Sequence, residues 1–203
     1  MEALPIDLRA GDWVRIRDNF GEPRPGHAHR GNDIGAPRGR TIRAPVAGRI
    51  VRAHDVDNEA CGFGVILDGT DGRRWTLCHF EAPPVVFTGE HVQAGDALGT
   101  LGASGNATWT DRHGTVHRAY HLHIARARLT PSDRRMGVPE NLYGELVEAR
   151  ARAQGVALDA STRRELLTSA APARSSSRSD AAGGGLALAF GLGLLWWSRR
   201  QRT

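Results

Sequence analysis

Residues 119–125 contain two histidines separated by a single leucine, and their large apolar side chains fall at every second position. A period of two predicts a β-strand, on which His121 and His123 project from one face while Leu122 points into a core. A catalytic metal site can use such a pair, because one ring binds the ion and the other acts beside it. The segment therefore predicts a β-sheet with a candidate metal site on one face.

A second group of candidate ligands lies far upstream, in residues 29–37. His29 and Asp33 can share an ion if the chain between them bends, and Gly31 permits that bend. With one ring of the later pair, they provide two nitrogen ligands and one oxygen ligand. Three protein ligands leave a fourth position for water, as in catalytic zinc sites. The residues alone leave open which later ring is the third ligand.

The chain is basic, and its basic residues are unusual. There is no lysine, so all 27 basic side chains are arginine, and the formal net charge is +5. This charge suits an anionic partner such as a cell wall or membrane surface, although an arginine-rich proteome would also produce it. We expect no nucleic-acid partner, because aromatic and basic residues are not interleaved as in base-stacking proteins. The lack of lysine also excludes a biotinyl- or lipoyl-carrier domain.

Seven motifs occur in order between residues 20 and 124. They are Phe20-Gly21-x-x-Arg24, His29-x-Gly31-x-Asp33-Ile34-x-Ala36-Pro37, Gly48-Arg49-Ile50-Val51, Cys78-His79-Phe80, Gly95-Asp96-x-x-Gly99, Gly102-x-Ser104-Gly105 and His121-Leu122-His123. Their order and approximate spacing resemble those of the lysostaphin-type (LytM-like) zinc metallopeptidases, which cut peptidoglycan peptides. The resemblance implies a mainly β fold of the duplicated hybrid motif or barrel-sandwich kind. In this fold an antiparallel β-sheet forms a groove with zinc at its floor.

The same resemblance implies roles for five residues. His29, Asp33 and His123 would be the Zn²⁺ ligands, and His79 and His121 the catalytic histidines. The implied activity is that of a metalloendopeptidase acting on the cross-links or stem peptides of its partner, peptidoglycan, and we expect a monomer. The alternative is a non-catalytic peptidoglycan-binding or amidase-activating relative of the same fold. The presence of all five residues favours the enzyme.

Five further strands are predicted from short runs bounded by Gly, Asp or Pro. They are residues 40–44, 48–56, 63–68, 73–80 and 97–101. Residues 68–72 predict a hairpin turn between the third and fourth of these runs. Cys61 and Cys78 lie on the two arms of that hairpin. A disulfide and two free buried thiols both stay open, because the strand register cannot be determined from the sequence.

Residues 107–120 depart from the family pattern, in which the Gly-Ser/Thr-Gly turn leads to the His-x-His pair within a few residues. The segment 111–114 predicts a turn between two short strands, so we expect a hairpin beside the groove that restricts the substrate. His113 and His117 within this insertion are expected to be exposed polar residues and not metal ligands.

The resemblance ends after residue 129, and we place the peptidase domain at residues 1–130. Residues 131–170 are predicted to be a helical extension that packs on the β-domain. Its first helix is predicted over residues 139–153, with a proline in the first turn and an apolar stripe. A second short helix is predicted over residues 161–169.

The C-terminal part of the chain differs in composition. Residues 171–182 are rich in Ser, Ala and Arg and are predicted to be a flexible linker. Residues 183–203 are an apolar segment ending in an arginine cluster. Its uncharged run, residues 183–197, would span only about 22 Å as a helix, short of the ~30 Å hydrocarbon core. We expect either a cleaved sorting signal or a short membrane anchor.

This arrangement predicts a bacterial cell-envelope protein, in the periplasm or at the cell surface, with the C-terminal arginines in the cytoplasm. Residues 1–7 do not show a basic region followed by an apolar one, so no signal peptide is visible. The export route stays open.

Overall fold

An antiparallel sheet of eight strands contains both predicted ligand segments. The computed structural model describes residues 1–24, 26–57 and 60–169. The strands of this sheet are β1 (Arg15–Ile16), β4 (Asn32–Gly35), β6 (Gly48–His54), β7 (Gly64–Gly69), β8 (Arg73–Cys78), β9 (His91–Val92), β13 (His121–Thr130) and β14 (Asp133–Glu140). Three two-stranded sheets pair β2 (Pro23–Arg24) with β3 (His27–Ala28), β5 (Thr41–Arg43) with β10 (Ala97–Thr100), and β11 (Thr108–Thr110) with β12 (Val116–Arg118).

The five runs predicted as strands correspond to β5, β6, β7, β8 and β10, close to the predicted bounds. Residues 68–72 form the turn between β7 and β8, as expected. The mainly antiparallel β fold is thus confirmed, and its eight-stranded sheet runs in the order β1-β4-β13-β8-β7-β6-β9, with β14 also paired to β13.

Strand β13 brings the two ligand segments together. It shows the predicted alternation, because Leu122 and Ile124 are fully buried while His121 and His123 face away from the core. Its first residues pair with β4, so that His123 lies opposite Asp33. The strand thus joins two segments that are about ninety residues apart in the chain.

The core lies behind this sheet and fixes its position. It includes the fully buried side chains Ile34, Trp75, Leu77, Leu122 and Ile124. Burial of each large apolar side chain contributes about 1.5–3 kcal/mol. The sheet that carries the candidate site is therefore held by packing on its other face.

The prediction of a helical extension is correct in part. The helices are α1 (Tyr143–Ala153) and α2 (Ala160–Ser169), but the first begins later than predicted. Pro139 lies in strand β14 and pairs with Ala127, so the beginning of the segment 131–170 is a strand and not a helix. Pro139 does not mark a helix start as predicted, because an edge strand also tolerates a residue without an N–H group.

Helix α1 packs on the sheet as expected. Leu142, which precedes the helix, and Leu146 are fully buried. The backbone N–H of Leu142 donates to the Oδ1 of Asn32 at 2.8 Å, and Arg126 forms an ion pair with Glu145 at 2.7 Å. The extension thus contacts both β4 and β13.

Among the residues that the structure describes, no helix combines the length and apolar character that a membrane crossing needs. The predicted linker at 171–182 and the apolar segment at 183–203 lie outside the described residues.

Candidate metal centre

Three donor atoms converge on the groove face of the sheet. The Nε2 of His29, which follows β3, lies 2.9 Å from the Nδ1 of His123 and 3.4 Å from the Oδ1 of Asp33. The distance from His123 Nδ1 to that carboxylate oxygen is 3.2 Å. The structure therefore brings together the three residues that the sequence predicted as ligands.

The chemistry of this donor set fits a cation. Two ligands about 2.05 Å from a tetrahedral zinc ion lie about 3.3 Å apart, close to the edges of this triangle. A carboxylate oxygen and two imidazole lone pairs at these separations repel one another unless a proton or a metal ion lies among them. The residues present thus fit a metal such as zinc.

Asn19 orients two of the three donors. Its Nδ2 donates to the Oδ2 of Asp33 at 2.7 Å, and the backbone N–H of Asp33 donates to the Asn19 Oδ1 at 3.1 Å. The Nδ1 of His29 is 2.8 Å from the Asn19 carbonyl oxygen. With that nitrogen donating, the Nε2 of His29 presents its lone pair to the centre.

Residue 31 must be glycine because β13 lies very close to it, and not only because the chain bends there. A Cβ at this position would lie 2.5 Å from the carbonyl oxygen of Ile124 and 2.8 Å from the Cε1 of His123. Any larger residue would push β13 away from the segment that carries His29. The sequence prediction that glycine matters here has a physical reason in the structure.

His79 and His121 lie beside the donor triangle and do not belong to it. Their ring centroids are 4.7 Å apart. The Nδ1 of His79 lies 2.9 Å from the Ser104 carbonyl oxygen, and the Nδ1 of His121 lies 2.6 Å from that of Ala119. A donated Nδ1–H in each ring leaves both Nε2 atoms as the reactive nitrogens. The Nε2 of His121 is 3.7 Å from the Oδ1 of Asp33.

The backbone of His79 is in the left-handed region, with φ of 69°, alone among the described non-glycine residues. Its N–H donates to the Cys61 carbonyl, and its own carbonyl accepts from Gly102, both at 3.0 Å. Cys61 and Cys78 are joined by a disulfide, which decides between the alternatives left open by the sequence. Such conformations cost about 1–3 kcal/mol and cluster at functional sites.

Burial and neighbouring charges separate the protonation states of these groups. Burial alone would raise the pKa of Asp33, but its hydrogen bonds with His123 and His29 hold that pKa far below the usual range. Burial lowers the pKa of His29, yet its contacts with Asp33 and Asn19 outweigh this effect and raise it. Burial and repulsion by His121 lower the pKa of His79 to about 3, and burial also lowers the pKa of His121. At neutral pH the site therefore combines an ionised carboxylate with neutral His79 and His121.

The donor triangle lies at the floor of a groove with a volume of about 920 Å³. The predicted hairpin is present as β11 and β12, and Thr108, Trp109 and Tyr120 line the groove. The Asp111 carboxylate accepts the backbone N–H groups of His113 and Thr115, which closes the turn. The insertion therefore forms one wall of the groove.

His113 and His117 belong to this hairpin and not to the donor triangle; His113 is exposed as expected, but His117 is half-buried. The ring of His117 stacks on Trp109 at a centroid distance of 4.5 Å. Its Nε2 lies 2.8 Å from the Oδ2 of Asp111.

Sequence reasoning missed three contributors to the site. Asn19 lies in a turn-rich loop without a signature of its own, fourteen residues from Asp33. The carbonyl groups of Ser104 and Ala119 orient rings through backbone atoms, which no side-chain pattern reveals. Only Ser104 carried a signal, because it belongs to the Gly102-x-Ser104-Gly105 motif.

A mainly antiparallel β fold with a His-Asp-His donor set in a groove defines the class of protein. The sequence model of peptidase family M23 matches residues 27–132, more than half of the chain. The protein belongs to peptidase family M23, as its resemblance to lysostaphin-type peptidases implied.

Solved structures agree on the fold. The catalytic domain of the antimicrobial peptidase lysostaphin from Staphylococcus simulans matches with a TM-score of 0.50 and 24% identity, over 66% of this chain and 92% of that one. Whole lysostaphin matches with the same score and identity, over 67% and 50%. The LytM protein from Ruminococcus gnavus matches with a TM-score of 0.59 and 22% identity, over 73% and 60%. The chain therefore spans half of whole lysostaphin and 60% of the LytM protein.

Proposed function

We propose that this protein is a zinc-dependent metalloendopeptidase that hydrolyses peptide bonds in bacterial peptidoglycan. The observation that carries the proposal is the donor triangle of His29, Asp33 and His123, with two neutral histidines beside it in one groove. Membership of peptidase family M23 supports the reaction class. A protein that only bound peptidoglycan would not need the strained backbone that holds His79 beside the triangle.

In this proposal His29, Asp33 and His123 hold Zn²⁺, and Asn19 keeps the first two in position. When bound, the ion would supply Lewis-acid chemistry, polarising a carbonyl group and activating water near neutral pH. The remaining position for water distinguishes this set of three protein ligands from a closed structural site.

His79 and His121 supply the proton chemistry. Their low pKa values keep both rings neutral at pH 7, so each Nε2 can accept a proton. Their Nδ1 atoms donate to backbone carbonyls, which fixes the tautomer and the direction of each ring. Either ring would take a proton from the attacking water at its Nε2, and the imidazolium so formed would donate that proton to the developing oxyanion or to the leaving amine. Such steps contribute about 10²–10⁴ in rate.

The disulfide supports a location in the cell envelope. Cys61 and Cys78 are bonded, and disulfides persist in oxidising compartments but are rare in the cytosol. Peptidoglycan lies in such a compartment. We therefore propose that the peptidase acts there as a monomer, with the segment 183–203 serving as a sorting signal or a short anchor.

The test is digestion of purified peptidoglycan by the full-length protein, with mass spectrometry of the released muropeptides. We expect products with one new amino terminus and one new carboxyl terminus inside the peptide part. Asp33→Ala should release nothing, while the control change His91→Ala, at an exposed position on β9 outside the groove lining, should remain active. Binding of the wild type without release from any cross-link type would favour the non-catalytic alternative.

A further inference from the structure

Strand β1 and the residues next to it form a second part of the groove wall, separate in sequence from the hairpin. Trp13, Arg15 and Arg17 are exposed and line the groove, whereas Val14 and Ile16 pack against the hydrophobic core. This alternation is the strand period of two. It directs three consecutive outward side chains to the face that carries the metal centre.

The strand register determines how far the two arginines lie from the catalytic and ligand histidines. Arg15 pairs with Gly35, which pairs on its other side with His121. The backbone N–H of Arg17 donates to the Asp33 carbonyl at 3.0 Å, and Asp33 pairs with His123. Neighbouring strands lie about 4.8 Å apart, so the arginine backbone is two strands from the catalytic and ligand histidines.

Gly35 lies between strand β1 and the metal centre and has no side chain. A Cβ on Gly35 would lie 3.2 Å from the Cζ3 of Trp13 and 3.8 Å from the Cβ of Arg15. The Trp13 ring therefore lies over a position without a side chain. Trp13 thus covers Gly35, and Arg15 and Arg17 follow it at alternate positions of the chain.

The positive charge of Arg15 and Arg17 is only weakly paired with carboxylates. Among the described residues, no hydrogen bond or ion pair engages the Arg15 guanidinium. Arg17 and Arg24 both contact Glu22, at 3.5 and 3.6 Å, with all three side chains exposed. Exposed pairs of this kind contribute only about 0–1 kcal/mol. Arg24 also lies 3.6 Å from the Oδ2 of Asp33. The guanidinium groups of Arg15 and Arg17 therefore remain able to bind a stronger anionic partner.

Asp33 is the one carboxylate among the described residues that line the groove, and its charge is directed to the metal centre. The hairpin wall contributes Thr108, Trp109 and Tyr120, which carry no formal charge. The groove is thus cationic on one side and neutral on the other. An arginine fork matches a carboxylate with two parallel hydrogen bonds.

We propose that Arg15 and Arg17 form a carboxylate-binding subsite that selects peptidoglycan peptides with a free carboxylate near the scissile bond. Stem peptides whose side-chain or terminal carboxyl groups are free would bind better than amidated stems or neutral glycine bridges. This inference deepens the proposed function and rests on it for the reaction, but binding tests the subsite separately from turnover.

The experiment measures the affinity of the full-length, zinc-loaded protein for two matched stem peptides by isothermal titration calorimetry. One peptide has free carboxylates, and the other has the same carboxylates amidated. Mass spectrometry after each titration checks that the peptide is intact. We expect the wild type to bind the acid form about tenfold more tightly at low salt, with the preference shrinking as salt is added.

Two double variants and a control variant test whether the preference depends on Arg15 and Arg17. The double change Arg15→Ala and Arg17→Ala should abolish the preference, and Arg15→Glu with Arg17→Glu should reverse it. Arg49→Ala removes the same charge from an exposed position on β6 outside the groove lining, and it should keep the preference. Thermal melts should show all variants folded.

Equal affinity of the wild type for both peptides would overturn the subsite, as would an unchanged preference in the double variants. A clear acid preference without any cleavage of peptidoglycan would support the subsite and contradict the proposed activity. The two failures are therefore distinguishable.

Discussion

The candidate metal centre and the hairpin of β11 and β12 share one groove but are held in different ways. Asp33 and His123 lie on paired central strands, and Asn19, only 1% exposed, contacts two of the three donors. The hairpin is built of exposed strands, and its turn is closed by Asp111 within the hairpin itself. Arg118 connects it to the body through the Ala103 carbonyl at 2.7 Å.

This contrast predicts that changes in the two regions of the groove have different effects. Sheet pairing and hydrogen bonds determine the geometry of the donors from several directions, so small changes there should have large effects. The hairpin depends mainly on its own contacts, and changes in it should leave the fold intact. We therefore expect losses to decrease from the centre towards the hairpin.

The largest effect is expected at the donor triangle. His29→Ala, Asp33→Ala and His123→Ala should each lose stoichiometric zinc and all turnover on peptidoglycan, because three protein ligands leave no redundancy. Zinc content by atomic absorption and muropeptide release measure the two effects. His91→Ala, at an exposed position on β9 outside the groove lining, is the matched histidine control and should retain both. Stoichiometric zinc in all three variants would break the proposed difference between centre and hairpin.

A large loss of rate with metal retained is expected at the catalytic pair. His79→Ala and His121→Ala should keep zinc and lower kcat by at least ~10²-fold, with a smaller change in KM, because proton transfer acts mainly in the transition state. The double variant should lose less than the sum of the two single losses in ΔG‡ if the rings act as one unit. Undiminished kcat in both single variants would remove these residues from the mechanism.

Asn19 should show an intermediate effect, through the metal. Asn19→Ala removes the amide that holds Asp33 and should weaken zinc affinity by about 10–100-fold. Competition with a chelator of known affinity measures the change. Because the Asn19 carbonyl that contacts His29 remains in the variant, the loss should be smaller than that of Asp33→Ala. Unchanged zinc affinity would show that the sheet alone positions the carboxylate.

The smallest effect on folding is expected at the hairpin. Replacing residues 108–118 by a short glycine link, which keeps Ala107 and the Ala119 carbonyl that contacts His121, should change the free energy of unfolding by less than about 1 kcal/mol, because the segment buries little apolar surface. The relative rates on different cross-link types should shift several-fold, because Thr108 and Trp109 no longer line the groove. Urea unfolding and muropeptide profiles test both parts. Unchanged preference for every cross-link would show that the wall does not select the substrate.

Local patterns explain which parts of the fold could be predicted from the sequence. The alternation around Leu122 predicted β13, and residues 68–72 and 111–114 predicted two turns, because these signals depend only on neighbouring residues. The helix boundary failed at Pro139, where pairing to β13 overrides a local helix-start signal. Strand pairing of this kind cannot be detected in a short stretch of sequence.

The candidate site was predictable to a similar extent. Donor types and family motifs indicated five histidine and aspartate positions, and the structure brings all five together. The role of Asn19 and the backbone partners of His79 and His121 required the folded chain. The Cys61–Cys78 bond also required the folded chain, because Cys61 lies in the turn before β7 and not on a hairpin arm as expected, and Cys78 pairs in the sheet with Gly64.

The most direct test of the account is zinc content together with peptidoglycan cleavage by the full-length protein, before chelation, after chelation and after zinc is restored. We predict one zinc per chain, loss of cleavage when the metal is removed, and recovery when one equivalent is returned. Full cleavage by protein shown to be free of metal would contradict the central claim that His29, Asp33 and His123 form a catalytic zinc centre.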